Sequence, residues 1–122
     1  MSENHESNKD DNCIFCKIID GKIPAAKIYE DENTIGIKDL HPRAPIHYLF
    51  IPKKHIRNLE EINSSNSKII ADLNLAAIET AKKENVATSG FRTVINCNSW
   101  AGQTVFHLHL HLLAGKHLSE DM

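Results

Sequence analysis

His107-Leu108-His109-Leu110-His111-Leu112-Leu113 is the stretch on which the reading of this chain turns. Side chains along a β-strand alternate between its two faces. A strand here therefore carries His107, His109 and His111 on one face and Leu108, Leu110 and Leu112 on the other. The leucines are predicted core. Neighbouring histidines on their face are spaced by about 6 to 7 Å, because a strand rises roughly 3.3 Å per residue. They form a linear array, too open for neighbours to ligate one metal without distortion. A polar or metal-binding surface is the plain alternative to a catalytic role. Three histidines in strict alternation favour catalysis, because a pKa near about 6.5 lets imidazole act as neutral nucleophile or charged donor at one pH.

The flanking residues sharpen that reading. Val105 to Leu113 is predicted as the last strand, closed by Ala114-Gly115. Ala101-Gly102-Gln103-Thr104-Val105-Phe106 leads into it, offering the backbone N–H groups of a glycine-containing turn, the Gln103 amide and the Thr104 hydroxyl as anion donors. An imidazole attacking phosphorus needs such donors on the non-bridging oxygens, and a phosphorus–nitrogen intermediate would then be resolved by water.

Upstream, Lys27–Glu30 and Thr34–Lys38 are short strand-like runs around the turn Asp31-Glu32-Asn33, which predicts a hairpin. His47–Ile51 is a strand closed by Pro52, and Phe91–Asn96 another, opened by Ser89-Gly90. Ser64–Glu84 lacks Gly and Pro and spaces Ile69, Ile70, Leu73, Ala76, Ala77 and Thr80 helically, with Asn63 or Ser64 as cap and Lys82 and Lys83 at its negative end. Cys13–Gly21 reads as a short turn or helix ended by Gly21. The order β-β-β-α-β-β predicts one α+β domain with a mainly antiparallel sheet.

The chain has 122 residues, 41% hydrophobic and 25% charged, with a formal net charge of -2. That suits a single soluble domain and argues against general nucleic-acid binding. No apolar run approaches the roughly 18 to 20 residues of a membrane span. Residues 1–12 read as a polar, solvated tail without a signal-peptide core. Three cysteines do not make a disulfide framework, and a reducing cytoplasm is the simplest setting. Cys13-x-x-Cys16 alone serves as a redox pair, half of a zinc site, or neither. The redox reading wants a following helix and a thioredoxin-type strand pattern, which is missing. Cys97 reads as a strand-end residue, His5, His41 and His117 as loop or surface histidines, and Lys53-Lys54 as a solvated basic pair.

Taken together, these residues resemble the histidine-triad superfamily, whose hallmark is His-x-His-x-His-x-x with hydrophobic x. The likeness runs from Cys13 to Gly115, through Ile14-Phe15-Cys16-Lys17-Ile18-Ile19, Lys22-Ile23-Pro24, Tyr29-Glu30-Asp31, Asp39, Pro42, Ala44-Pro45-Ile46-His47, Ile51-Pro52-Lys53-Lys54-His55, Asn96 and Gly102-Gln103-Thr104-Val105-Phe106. It implies a five-stranded antiparallel sheet with one long helix and a short N-terminal helix over residues 13–115, followed by a short tail at 116–122. It also implies His109 as nucleophile, His111 and His47 as its positioning partners, and Asp39 as acceptor for ribose hydroxyls. Asn96, Gln103 and Thr104 would contact the phosphate or leaving group, and Phe15, Ile18, Ile37 and Leu40 would line the base pocket. By residue type alone, those four apolar side chains read equally as core, and Asp39 as a turn residue.

The ending Leu112-Leu113-Ala114-Gly115 is similar to the Hint branch, nucleoside phosphoramidases acting on purine nucleotides linked through nitrogen. The Fhit branch, dinucleoside polyphosphate hydrolases, typically has Pro-Arg there, whereas the lead-in Ala101–Thr104 reads equally well as Fhit-like. Trp100 and the residues from His117 onward depart from the usual Hint pattern. A zinc-stabilised nucleotide-binding module with little turnover is the alternative from another class. Some relatives with this Cys-x-x-Cys bind a structural zinc, and His55 and His107 are the matching positions. The resemblance therefore implies a Cys13, Cys16, His55, His107 site that supports the fold and is not needed for the chemistry, so that catalysis survives its loss better than the fold does. It also implies a homodimer.

Overall fold

The computed structural model describes residues 12–121. The tail read at residues 1–12, apart from Asn12, lies outside the described residues, as do His5 and Met122. The order of elements is α1 (Ile14–Ile19), β1 (Lys27–Glu30), β2 (Thr34–Lys38), β3 (Ile46–Pro52), α2 (Lys68–Lys83), β4 (Phe91–Val94) and β5 (Leu110–Ala114). Single 3-10 turns lie at Leu59–Glu61 and Ser99–Ala101. The five strands form one antiparallel sheet in the order β1-β2-β3-β5-β4, so the last strand is inserted between β3 and β4. The predicted α+β architecture is the observed one.

Alternation across the sheet creates two cores. On one face Tyr48, Phe50, Leu108, Leu110 and Leu112 pack beneath Leu73, Ala76 and Ala77 of α2. The three leucines are essentially inaccessible, each burial stabilising the fold by about 2 kcal/mol. On the opposite face Ile35, Ile37, Leu49 and Ile51 pack against Cys13, Phe15 and Cys16 around α1. The second face also receives the histidines, because Leu49 and His111 are register partners across β3 and β5.

The predicted hairpin forms between β1 and β2. The Asp31 carboxylate accepts the N–H groups of Asn33 and Thr34 at 2.8 Å each and so fixes the turn. In β2, a Cβ on Gly36 would stand 2.9 Å from Ile28 Cδ1, Phe50 Cε1 and Tyr29 Cβ, so the close approach of the layers requires glycine here. Gly21 follows α1 with φ +78°, the left-handed geometry expected of a residue that ends a helix.

Strand β3 runs one residue further at each end than expected and takes in Pro52, and three boundaries differ by more. Helix α2 begins at Lys68, four residues later than Ser64, because residues 64–67 form a turn in which Asn63 Oδ1 takes the N–H and hydroxyl of Ser65. That local bond competes with helix formation, and neither Asn63 nor Ser64 caps the helix. Strand β4 ends at Val94, before Asn96. The larger difference is β5, which joins the ladder only at Leu110. Ahead of it, the N–H of Leu108 donates to the Ile56 carbonyl at 2.7 Å and the His107 ring to the Pro52 carbonyl at 2.8 Å. The end of β3 and the loop after it, and not ladder pairing, thus hold residues 107 and 108.

Candidate active site

His109 and His111 keep the predicted shared face, with ring centroids 5.0 Å apart, although only His111 is in the ladder. Nδ1 of His109 lies 2.8 Å from the carbonyl oxygen of His107. A carbonyl only accepts, so Nδ1 carries the proton and Nε2 keeps its lone pair. Burial holds the His109 imidazole below the ordinary range, the effect partly offset by that carbonyl and by Asp39. Phe15 from α1 packs edge-on against the ring at 5.1 Å between centroids. The residue as a whole is 9% exposed.

His47, from β3, stands opposite. Its Nδ1 accepts the Arg43 backbone N–H at 3.1 Å, which leaves Nε2 as the protonated nitrogen, 2.9 Å from Nδ1 of His111. His111 is then the acceptor, and its own proton sits on Nε2. Burial, reinforced by the neighbouring His109 and His47, pushes His111 down to about 4. Burial also lowers His47, against the pull of Asp39, whose Oδ2 lies 3.4 Å from His47 Nε2. The other Asp39 oxygen accepts the His41 N–H at 2.8 Å, so the turn role and the proximity to the histidines coexist in one side chain.

His107 is turned to a different task. Its Nε2 donates to the Pro52 carbonyl, leaving Nδ1 free to ligate, and burial lowers it to about 4. Nδ1 lies 3.3 Å from Cys13 Sγ, 3.5 Å from Cys16 Sγ and 3.2 Å from His55 Nδ1, and Cys16 Sγ is 3.3 Å from His55 Nδ1. All four ligand atoms lie within 4.8 Å of one another. Tetrahedral zinc with its usual bond lengths would place such atoms about 3.3 to 3.8 Å apart, so the donor set and its spacing fit the ion. The carbonyl bond to the far nitrogen of His107 is the support that zinc-bound histidines ordinarily have.

The remaining predicted residues fall unevenly. Phe15 and Ile37 are buried in the second core with Ile18 packed against it, whereas Leu40 is 86% exposed. Thr104 is exposed and Asn96 half-buried. Gln103 is bonded within the protein through both ends of its amide. Its amide nitrogen donates to the Arg57 and Val105 carbonyls at 3.0 and 3.1 Å, and its oxygen accepts the Asn98 N–H at 2.8 Å. Both amide hydrogens are engaged, so Gln103 shapes the turn. The partners that sequence reasoning missed are Arg43, Asn58, Asn98 and the Pro52 carbonyl. Asn58 Nδ2 donates to Asn98 Oδ1 at 2.8 Å, and Asn98 has a φ of +70°. An asparagine inside Asn96-Cys97-Asn98-Ser99 is the available signal for a turn with positive φ.

Comparison with known proteins places these features in context. Residues 12–122 match the family model described as "Scavenger mRNA decapping enzyme C-term binding". An uncharacterized HIT-like protein of Buchnera aphidicola is 44% identical over 107 residues, which is 88% of this chain and 96% of that protein. A HIT family hydrolase from Clostridium thermocellum is 48% identical with a TM-score of 0.90, covering 93% of this chain and 99% of that one. A zinc-bound histidine triad family protein from Mycobacterium smegmatis is 34% identical with a TM-score of 0.75, covering 89% and 78%.

Proposed function

This chain belongs to the histidine-triad family, and from that premise we propose that it hydrolyses purine nucleoside 5'-monophosphoramidates through a nucleotidyl intermediate on His109. The observation that carries the proposal is the 2.8 Å bond from His109 Nδ1 to the His107 carbonyl, which leaves Nε2 an unprotonated lone pair beside two other histidines. Nε2 attacks phosphorus, the P–N bond breaks, and the amine takes a proton as it leaves. Water then cleaves the phosphoimidazole, returning His109 and releasing the nucleoside monophosphate. The Nε2–H of His111 and the hydroxyl and backbone N–H of Thr104 hold the charge on the non-bridging oxygens. Asp39 takes the ribose hydroxyls, while Phe15, Ile18, Ile37 and Leu40 flank the base and Asn96 the phosphate.

Cys13, Cys16, His55 and His107 would hold a zinc ion, which the donor set and the zinc-bound relative support. When bound, the ion supplies cross-linking and no chemistry at phosphorus. A cytoplasmic location is the reading supported by three cysteines that do not make a disulfide framework. No helix among the described residues is long and apolar enough to cross a membrane. A homodimer is supported by Leu75 and Ile78, exposed on α2, and by the sheet edge at β4.

The test is intact-protein mass within the first turnover on an adenosine phosphoramidate, alongside product release. Wild type should gain the mass of one nucleotidyl group. His109→Ala should gain none and lose about a thousandfold or more in kcat. Unchanged turnover in His109→Ala would overturn the mechanism. A higher kcat/KM on a dinucleoside polyphosphate would move the substrate class, and nucleotide binding with no turnover of either would leave a binding module.

A further inference from the structure

We propose that Cys13 and Cys16 are a reversible oxidation site, at which a hydroperoxide closes a disulfide, expels the zinc ion and thereby misplaces His109. The proposal rests on the zinc and nucleophile readings above.

Local geometry makes the pair competent. Cys13 is the N-cap of α1 in extended conformation, and Cys16 lies in the first turn with its N–H donating to Cys13 Sγ at 3.3 Å. The following helix that a redox reading of Cys-x-x-Cys wants is therefore present, although the surrounding sheet is not of thioredoxin type. Residues three apart at a helix start have Cα atoms about 5 Å apart, inside the range a disulfide spans. Both thiols are buried, at 8% and 4% exposure, yet α1 is a surface helix with Ile14 exposed beside them. A peroxide is little larger than water.

The step balances. Two zinc-bound thiolates give up two electrons to the O–O bond of the hydroperoxide, an S–S bond forms, and two protons from solvent complete water and an alcohol, or two waters from hydrogen peroxide. The disulfide sulfurs no longer hold the cation, which departs from the two remaining imidazoles. A thiol reductant reverses the change, and zinc then rebinds.

The link to His109 follows from where β5 begins. Had the ladder run from Val105, the strand alone would fix the nucleophile, and loss of the ion would matter mainly to the fold. Pairing starts at Leu110, so residues 107 and 108 depend on the Ile56 and Pro52 carbonyls and on whatever His107 Nδ1 binds. The His107 carbonyl sets the His109 tautomer, and Phe15, between the two cysteines in sequence, packs on both rings with centroids 6.0 and 5.1 Å away. Oxidation loosens two supports of the nucleophile together. The structure thus points away from catalysis outlasting the metal.

The experiment uses full-length Cys97→Ser protein, in which Cys13 and Cys16 are the remaining thiols. Zinc content is measured first, then the protein is titrated with hydrogen peroxide while released zinc, intact mass and phosphoramidate hydrolysis are followed. One zinc released per chain, a mass lower by two hydrogens than the reduced chain, and a fall in kcat/KM of about tenfold, all restored by dithiothreitol and zinc, are expected. Protein that binds no zinc overturns the proposal at its base, as does zinc retained when the thiols are consumed, or oxygen adducts in place of a disulfide. Disulfide and zinc release with undiminished hydrolysis would overturn the coupling to His109. Absence of hydrolysis before oxidation would instead strike the proposed function, and the zinc and mass readings would then decide the oxidation site separately.

Discussion

Nε2 of His47 stands 2.9 Å from Nδ1 of His111, and the direction of the proton between them is set from outside the pair. The Arg43 N–H occupies His47 Nδ1, so His47 donates and His111 accepts. Protonating either ring breaks this arrangement: on His47 the added proton would face the Arg43 N–H, and on His111 it would face the His47 N–H. Neutral rings are what the fold requires.

A pH dependence of stability follows. Both imidazoles are depressed in the folded state, His111 to about 4 from 6.5, with burial the main cause in each. The unfolded chain binds more protons between these values, so stability is full above about pH 6.5, declines as the pH falls, and levels off below about 4. His111 alone should account for about 3 kcal/mol across that window. Urea unfolding of wild type and His111→Asn at pH 7 and pH 5 measures it. The variant should show a distinctly shallower decline, and equal slopes would remove His111 from the account.

Gln103 gives a second prediction. It is 3% exposed and makes three hydrogen bonds that tie the Asn98 turn to Arg57 and Val105. Gln103→Ala removes three part-buried hydrogen bonds, at a cost of about 1 to 3 kcal/mol. The turn bearing Thr104 would shift with it. Urea unfolding should show that loss, and kcat should fall with a smaller change in KM. A drop in nucleotide affinity without loss of stability would instead assign Gln103 direct ligand contact.

Much of this fold was legible because local rules and tertiary contacts agree. Alternation placed Leu108, Leu110 and Leu112 in the core, and Asp31 marked the hairpin. Helical spacing from Ile69 to Thr80 found α2, although the Asn63 side chain took the start of that helix for a turn. What escaped depends on groups remote in sequence. Nothing within Val105–His109 announces that the Pro52 and Ile56 carbonyls will draw it from the ladder. Gln103 reads as a free donor because the Arg57 carbonyl that takes one of its hydrogens is remote in sequence. The family resemblance brought Cys13, Cys16, His55 and His107 together, but their spacing and the tautomer of His107 are properties of the fold.

Gly36 isolates packing from chemistry. A methyl group at this position meets three heavy atoms at 2.9 Å, two of them on the aromatic residues Tyr29 and Phe50. Gly36→Ala should cost about 1 to 3 kcal/mol through overpacking. Because its neighbours belong to the α2 face, opposite the histidines, kcat at a temperature where the variant is folded should match wild type. Thermal unfolding and steady-state kinetics check the two halves, and a tenfold loss of kcat in folded protein would show that the faces are not independent.

Asp39 offers the sharpest separation of roles, because its two oxygens face different tasks. Oδ1 accepts the His41 N–H and holds the loop, whereas Oδ2 lies 3.4 Å from His47 Nε2, toward the histidines. If Oδ2 also receives the ribose hydroxyls, Asp39→Asn retains an acceptor for His41 but loses the charge that strengthens the ribose bonds. Bonds to charged groups contribute about 1.5 to 3 kcal/mol, which corresponds to a rise in KM of about ten- to a hundredfold. A substrate lacking both ribose hydroxyls should bind wild type that much more weakly and should be indifferent to the substitution. Comparing the two enzymes on the two substrates closes a double-mutant cycle. Coupling near zero would confine Asp39 to the loop and to His47, with its effect then appearing in kcat on both substrates alike.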